Sequence, residues 1–414
     1  MLDIKFVREN SEKVKKGVAA KQFDPAIVDK VLELDKKRRN LLQETERLRA
    51  ERNKISKDNT EGARKRGKEI KENLKKLEPE LRGLEKEYKD ALYKVPNLAA
   101  DDVKVGKDES ENEVVRKWGE PTKFDFKPKD HLELGETLDI IDVKRAAKVS
   151  GTRFGYLKGD AVLLEFALVQ FSLETLIKEG FIPVVPPVLI KKDAMSGMGY
   201  LEHGGEEDMY VLEKDNLVLV GTSEQSIGPM HRDEVFRADE LPKRYVGFSA
   251  CLRREAGSWG KDTRGILRVH HFDKVEMFSF CKAESSDKEH EYLLSLQEKL
   301  FQAMNIPYQV VKMCTGDLGA PAARKYDLDV WLPSQGKYRE VTSTSNATDF
   351  QARRLNIKYQ EKGESRFVHT LNGTAFAISR TIIAILENYQ QKNGSVVVPE
   401  VLRKWVDKDK IERS

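Results

Sequence analysis

Cysteine is scarce in this chain. The three in 414 residues (Cys251, Cys281 and Cys314) are far apart, odd in number and never in a CxxC pair. Such usage excludes a disulfide framework and a zinc site built on thiolates, so no structural zinc is expected, and it points to a reducing compartment. Long apolar runs are missing as well. No stretch approaches the ~18 uninterrupted apolar residues of a membrane span, and the opening MLDIKFVREN has no apolar signal core. The expectation is a cytoplasmic protein with no membrane partner. Neither GxGxxG entering a helix nor GxxxxGK[ST] occurs, which excludes the dinucleotide and P-loop phosphate cradles. Gly197 and Gly199 form a GxG outside that context and read as a loop.

Charge is abundant instead. Asp, Glu, Lys and Arg make up 34% of the chain for a net charge of only +4, so their distribution matters more than their sum. From residue 30 to residue 94 there are 21 Lys or Arg against 14 Asp or Glu. In the same stretch Val31, Leu34, Leu41, Leu48 and Ile55 recur on a 3/4 spacing, with Arg38, Thr45 and Arg52 in the intervening slots. Ile70, Leu74, Leu77, Leu81, Leu84, Tyr88 and Ala91 repeat the pattern. Each series is the seam of a coiled coil. Between them SKDNTEGARKRGKE, residues 56–69, has no apolar period and reads as a turn. The expectation is an antiparallel helical arm whose helices are each about 40 Å long. Arg64, Lys65, Arg66 and Lys68 crowd its tip. Two readings fit those charges: a solvated surface that keeps the arm soluble, or a surface that tracks nucleic-acid phosphates.

A segment rich in Pro, Gly and acidic residues follows, so the chain divides into residues 1–105, bearing the arm, and residues 106–414. In the second unit residues 160–179 have a helical period and stop at Gly180. FIPVVPPVLI reads as a buried edge strand, since prolines suit an edge or an interface. Strand-like runs then follow one another with few helices between them, which points to an α+β domain on a mostly antiparallel β-sheet. Residues 244–280 read as two strands around the glycine-rich AGSWGKDTRG; alternation puts Arg253 with Glu255, and Arg268 with Glu276, on shared faces. Ordinary cross-strand pairing accounts for one such pair; four charges on one hairpin suit a substrate bearing phosphate and ammonium together. Thr222, Ser223 and Glu224 follow the apolar NLVLVG, and EVTSTS (residues 340–345) ends another run. Asn372, Gly373 and Thr374 read as the opening of a helix that carries Arg380, a cation in apolar surroundings that calls for an anion.

Together these segments resemble the three signature motifs of class II aminoacyl-tRNA synthetases, and among them the bacterial type of seryl-tRNA synthetase. GFIPVVPP (residues 180–187) resembles motif 1, CLRREAGSWGKDTRGILRVHHFDKVEMF (251–278) motif 2, and NGTAFAISRTIIAILENYQ (372–390) motif 3. VPNL, TSE, YDLDVWLP, SNATDFQARR and VPEVLR fall in the family's order, so the resemblance spans essentially the whole chain.

The resemblance implies ATP-dependent attachment of L-serine to tRNA(Ser), and to tRNA(Sec) where it is present, through a seryl-adenylate, by a homodimer using ATP and Mg²⁺. It implies that Arg253, Arg268 and Arg380 are catalytic. ATP is then bound by Arg253, Arg254, Glu255, Val269, Glu340, Val341, Thr342, Ser343 and Arg380, with Mg²⁺ met by Glu340 and Ser343. The serine pocket is Thr222, Ser223, Glu224, Glu276, Asn372 and Thr374, and the arm, including Arg64, Lys65, Arg66 and Lys68, binds tRNA. Arg254, Lys261, Thr342 and Thr344 depart from the residues usual at those places. His270 and His271 are expected to be structural.

Overall fold

The computed structural model describes residues 1–57, 60–202, 205–256 and 264–413. The chain divides into two units, Met1–Leu98 and Ala99–Ser414. In the first unit two short helices, α1 (Ile4–Glu9) and α2 (Ser11–Ala20), precede two long ones, α3 (Ala26–Ile55) and α4 (Glu61–Tyr93). The heptad-like spacing does what it should. Val28, Val31, Leu34 and Leu48 of α3 and Ile70, Leu74 and Leu81 of α4 are buried. Two of the three polar slots are met in the seam: Thr45 donates to the Leu41 carbonyl at 2.7 Å, and the Arg38 guanidinium lies 4.8 Å from the centre of the Tyr88 ring of α4, whereas Arg52 is exposed.

The expected turn over residues 56–69 is corrected. Thr60 caps α4 by accepting from the Ala63 amide, so helix already runs from Glu61, and the basic cluster lies on its first turns. Gly62 and Gly67, which suggested a loop, are tolerated within the helix because the flanking residues are good helix formers. Arg64, Lys65 and Lys68 are exposed, whereas Arg66 is tied to Glu51 of the facing helix at 2.7 Å.

The second unit is built on an eight-stranded sheet. Its strands, in chain order, are β1 (Glu113–Trp118), β2 (Ile182–Val184), β3 (Lys243–Leu252), β4 (His271–Cys281), β5 (Tyr308–Lys312), β6 (Arg324–Leu332), β7 (Lys337–Asn346) and β8 (His369–Ala377). They lie in the order β1-β5-β6-β7-β8-β4-β3-β2, antiparallel throughout except for β2 against β3. Helices α5 (Asp160–Lys178), α6 (Ser286–Ala303) and α7 (Ile378–Tyr389) pack on it. Their apolar faces, with Leu164, Leu168, Leu300, Phe301, Ile382 and Ile385 all buried, close one continuous core with the sheet. The α+β reading with a mostly antiparallel sheet holds.

Four local expectations are corrected. Asn372, Gly373 and Thr374 do not open a helix; they lie inside β8, where Thr374 pairs with Glu276 and Gly373 with Thr344, and α7 starts only at Ile378. Neighbouring strands on both sides supply the backbone partners there, which overrides local preference. A Cβ on Gly373 would stand 3.1 Å from the Thr344 hydroxyl, close enough that the threonine side chain would have to give by a few tenths of an ångström. Next, β3 ends at Leu252 and β4 begins at His271, so Arg253, Glu255 and Arg268 lie beyond the strands and the alternation argument does not apply to them. Glu255 has φ +52°, which breaks the extended chain. Gly197 sits inside the short helix Lys192–Met198, and Gly199, at φ +85°, ends it. Finally, FIPVVPPVLI splits between β2 and a strand at Leu189–Lys191 of a separate sheet. Its edge position is as expected, but Ile182 and Val185 are 47% and 84% exposed rather than buried.

Candidate functional site

The site is assembled around the middle of the sheet, where β8 lies between β7 and β4. Two clefts meet there. The first is lined by Arg253, Glu255, Arg268, Val269, Phe272, Val341, Thr342, Thr374 and Arg380, among others. The second, about 400 Å³, is lined by Tyr200, Thr222, Glu224, Gln225, Gln351 and Asn372, among others. Arg253, Lys274, Glu340 and Ser343 line both.

The first cleft is an arrangement of arginines, each held by an acceptor. Arg253 donates through Nε to the Gly221 carbonyl at 3.1 Å, and its guanidinium lies 5.4 Å from the centre of the Phe272 ring. Arg268 Nη1 is 2.5 Å from Glu255 Oε2. The anion that Arg380 calls for is Glu340, 3.1 Å away on β7. Enclosure by the cleft works against the Glu340 charge. The Arg380 guanidinium, with Lys325 and Arg253 behind it, outweighs that and holds the carboxyl at about 2. Although near the centre of the site, the Glu340 side chain keeps 45% of its surface open to water, so an ionised oxygen donor faces the cleft. Gln297 of α6 sets the spacing of the floor: its Nε2 donates at 2.8 Å both to the Ser343 carbonyl on β7 and to the Thr374 carbonyl on β8.

The second cleft is acidic at its wall. Glu224 is buried and accepts short hydrogen bonds from the Tyr200 hydroxyl and from Asn372 Nδ2. Burial, and then the neighbouring charge of Glu276, push its carboxyl up to about 7. Glu276 is wholly buried one layer below the wall, where Thr374 donates to Oε2 at 2.8 Å and Asn372 Nδ2 lies 3.3 Å from Oε1. Lys274 Nζ is 2.7 Å from Glu276 Oε2.

Most of the residues expected at the site therefore converge. Arg254, Ser223 and Glu276 line neither cleft, and Thr374 lines only the first: Arg254 is exposed and joins Asp208 through its backbone, Ser223 is fully buried with its hydroxyl 3.5 Å from the Gly247 carbonyl, and Glu276 is buried behind Thr374 and Asn372. Most of the glycine-rich stretch of motif 2, including Lys261, lies outside the described residues. His270 Nδ1 is 3.0 Å from the Arg253 carbonyl, a contact that steadies the arginine's backbone. Lys274, Gln297, Tyr200 and Phe272 escaped the sequence reading. Lys274 and Phe272 had a visible signal, standing two and four residues before Glu276 and hence on the same strand face; the other two had none. Among the described residues no group of three or more His, Cys, Asp or Glu is arranged to hold a metal ion, and no helix is long and apolar enough to cross a membrane.

Comparison with known proteins agrees with this geometry along the whole chain. Residues 1–99 match the seryl-tRNA synthetase N-terminal domain, and residues 210–389 match the tRNA synthetase class II core domain (G, H, P, S and T). The serine–tRNA ligase of Dictyoglomus turgidum is 46% identical over 416 residues, covering 98% of each chain. That of Thermobifida fusca is 47% identical over 418 residues, covering 99% of this chain and 98% of its own. Among solved structures, the seryl-tRNA synthetase of Pyrococcus horikoshii complexed with ATP superposes with a TM-score of 0.94 at 42% identity, covering 100% of both chains. The cytoplasmic serine–tRNA ligase of Naegleria fowleri in complex with AMP gives 0.90 at 35% identity, covering 100% of this chain and 99% of its own. Two clefts that share a charged wall, on a sheet of this topology and in a chain so similar from end to end, place the protein in the seryl-tRNA synthetase family.

Proposed function

We propose that this protein is a serine–tRNA ligase that joins L-serine to tRNA(Ser), and to tRNA(Sec) where a cell has one, through a seryl-adenylate. The observation that carries the reading is the shared wall. An acidic cleft suited to an amino acid's ammonium group and an arginine-lined cleft suited to a triphosphate meet at Arg253, Lys274, Glu340 and Ser343. A carboxylate entering from one side would there face an α-phosphate entering from the other.

In this reading the serine carboxylate attacks the α-phosphorus, pyrophosphate leaves, and a ribose hydroxyl of the tRNA then takes the seryl group. Neither step needs a covalent enzyme intermediate; the work is positioning and the stabilisation of phosphoryl charge. Arg253, Arg268 and Arg380 supply that charge, with Glu255 and Glu340 keeping the last two oriented. Val269, Val341 and Thr342 border the nucleotide, and Thr222, Glu224, Glu276, Asn372 and Thr374 form the serine side. The Glu276–Thr374 pair is assigned to the substrate hydroxyl; alanine forfeits that hydrogen bond, a penalty of up to about 10⁴-fold. Hard oxygen donors suit Mg²⁺, and the ionised, water-accessible Glu340 beside Ser343 fits such an ion while leaving its other positions to phosphate and water. Bound with ATP, Mg²⁺ would neutralise phosphate charge.

The basic residues of the long helices, among them Arg64, Lys65 and Lys68, are assigned to tRNA backbone contact, and residues 1–105 and 106–414 to tRNA binding and catalysis. Apolar side chains left open on and beside α5 and β2, Phe166 at 57% and Val185 at 84%, favour a homodimer joined there. A cytoplasmic location completes the reading. The deciding experiment is serine-dependent ATP–pyrophosphate exchange followed by tRNA charging, with the intact chain and with residues 42–83 replaced by a short turn. The shortened protein is expected to keep exchange and lose charging. Absence of serine-dependent exchange in the intact chain would overturn the activity, and unimpaired charging by the shortened chain would overturn the role of the arm.

A further inference from the structure

One buried cation in the site has no role in the reading above. Lys274 lies in β4, opposite Ser249 on one side and Ala377 on the other, with only 7% of its side chain exposed. Its ammonium stands 2.7 Å from Glu276 Oε2 and 3.4 Å from the Thr374 hydroxyl, and it lines both clefts. The other cations of the shared region have other acceptors: Arg253 a carbonyl, Arg268 Glu255, and Arg380 Glu340. Among these residues, Lys274 is therefore the cation paired with the buried carboxylate of Glu276 and, with Arg253, one of two that act on Glu224.

We propose that Lys274 is a positioning residue for the amino-acid substrate: it clamps Glu276 against Thr374 and offsets one of two buried carboxylates, leaving a net charge that one substrate ammonium completes. The proposal rests on the serine-activating reading of the site and deepens it. Two uncompensated carboxylates in a buried wall repel one another and tend to share a proton, which would cost the pocket its affinity for a cation. Lys274 acts against that. The groups that bear on Glu224 are Glu276 and Lys274 from β4, Tyr200 from the segment after Lys192–Met198, and Arg253 from beyond β3. Burial and Glu276 raise its titration to about 7, while Lys274, Tyr200 and Arg253 lower it. Removing the lysine leaves the raising influences and subtracts a lowering one, so Glu224 stays protonated to higher pH.

The test uses the full chain and serine-dependent ATP–pyrophosphate exchange, followed across neutral pH for the unaltered protein, Lys274→Met and Lys274→Arg. In Lys274→Met, KM for serine is expected to rise by about tenfold or more, as when one partner of a buried pair is lost, while KM for ATP changes far less. The acid limb of kcat/KM for serine should move to higher pH, and Lys274→Arg should return the limb towards its original position. An unchanged serine KM and limb would overturn the proposal. So would an equal rise in both KM values with the limb unmoved, the signature of a merely structural lysine. If circular dichroism shows Lys274→Met unfolded, Lys274→Arg decides: a raised serine KM with the limb in place supports the clamp, and two unchanged KM values overturn it. Failure of the unaltered protein to exchange with serine counts against the activity itself, which separates the two outcomes.

Discussion

Thr45 in the arm and Thr374 in the sheet are both buried threonines, and they spend their hydroxyls differently. Thr45 gives its proton to the carbonyl of Leu41, one turn back along its own helix. Thr374 gives its proton to the carboxylate of Glu276, a residue 98 positions away on the neighbouring strand. In the helical unit, polar burial is settled within one helix or between neighbouring ones. Around Glu276 it also draws on residues from distant parts of the chain, and removing one of those groups strands a charged partner. The arm should therefore forgive changes that the sheet does not.

The sharpest test of that contrast is Glu276→Ala, which removes the anchor of Lys274, Thr374 and Asn372 together. Serine-dependent pyrophosphate exchange should fall at least about 10³-fold; exchange like that of the unaltered protein would break the assignment. Thr374→Val keeps the shape and deletes one donor to a buried carboxylate, so kcat/KM for serine should drop by about a hundredfold in the same assay. In the arm the largest effect is expected at Asp35. Its side chain is 1% exposed, and Arg8, Arg38 and Arg39 converge on it at 3.6, 3.3 and 3.0 Å. Asp35→Ala should cost about 2 kcal/mol, less than the ~3–5 kcal/mol of a fully buried pair because its arginines are partly in water, read from the urea midpoint of the helical signal.

A pH scan sharpens the same comparison. Burial pulls His290 of α6 down to about 4 from its ordinary 6.5. As pH falls through that window the unfolded chain takes up a proton that the folded one refuses, so stability declines from about 6.5 to about 4 and this contribution is flat below. His290→Leu should flatten that slope in denaturation measured against pH. The smallest effect belongs to Thr45→Val, within about 0.5 kcal/mol, because the Leu41 carbonyl keeps its helical partner. A large loss there would end the contrast.

The same difference decided what could be read in advance. The arm's helices were legible because Val31, Leu48, Ile70 and Leu74 carry their own period, and only the start of α4 was misplaced, since Gly62 and Gly67 imitate a loop. The sheet was legible as a class and not in its detail. NGTAF has no period that distinguishes a strand from a helix start, and its state is fixed by β7 and β4 on either side. Nothing near Glu255 in sequence announces a positive φ, and Gln297 joins the site only because α6 lies across two strands. The arginines and glutamates of the site could be named by chemical type and by resemblance, while their partners required the fold.

The position of β8 also bears on the order in which the protein is made. This strand fills the gap between β7 and β4, yet it is the last of the eight to be synthesised. Until residue 377 has left the ribosome, β7 and β4 each present an unpaired edge, while everything needed for the helical arm has been available since residue 98. A nascent chain thus carries its finished helical unit well before the sheet closes, and for that interval the open edges are its most exposed liability to wrong pairing. A chain stopped short of β8 would keep the arm and lack the strand on which Asn372 and Thr374 stand.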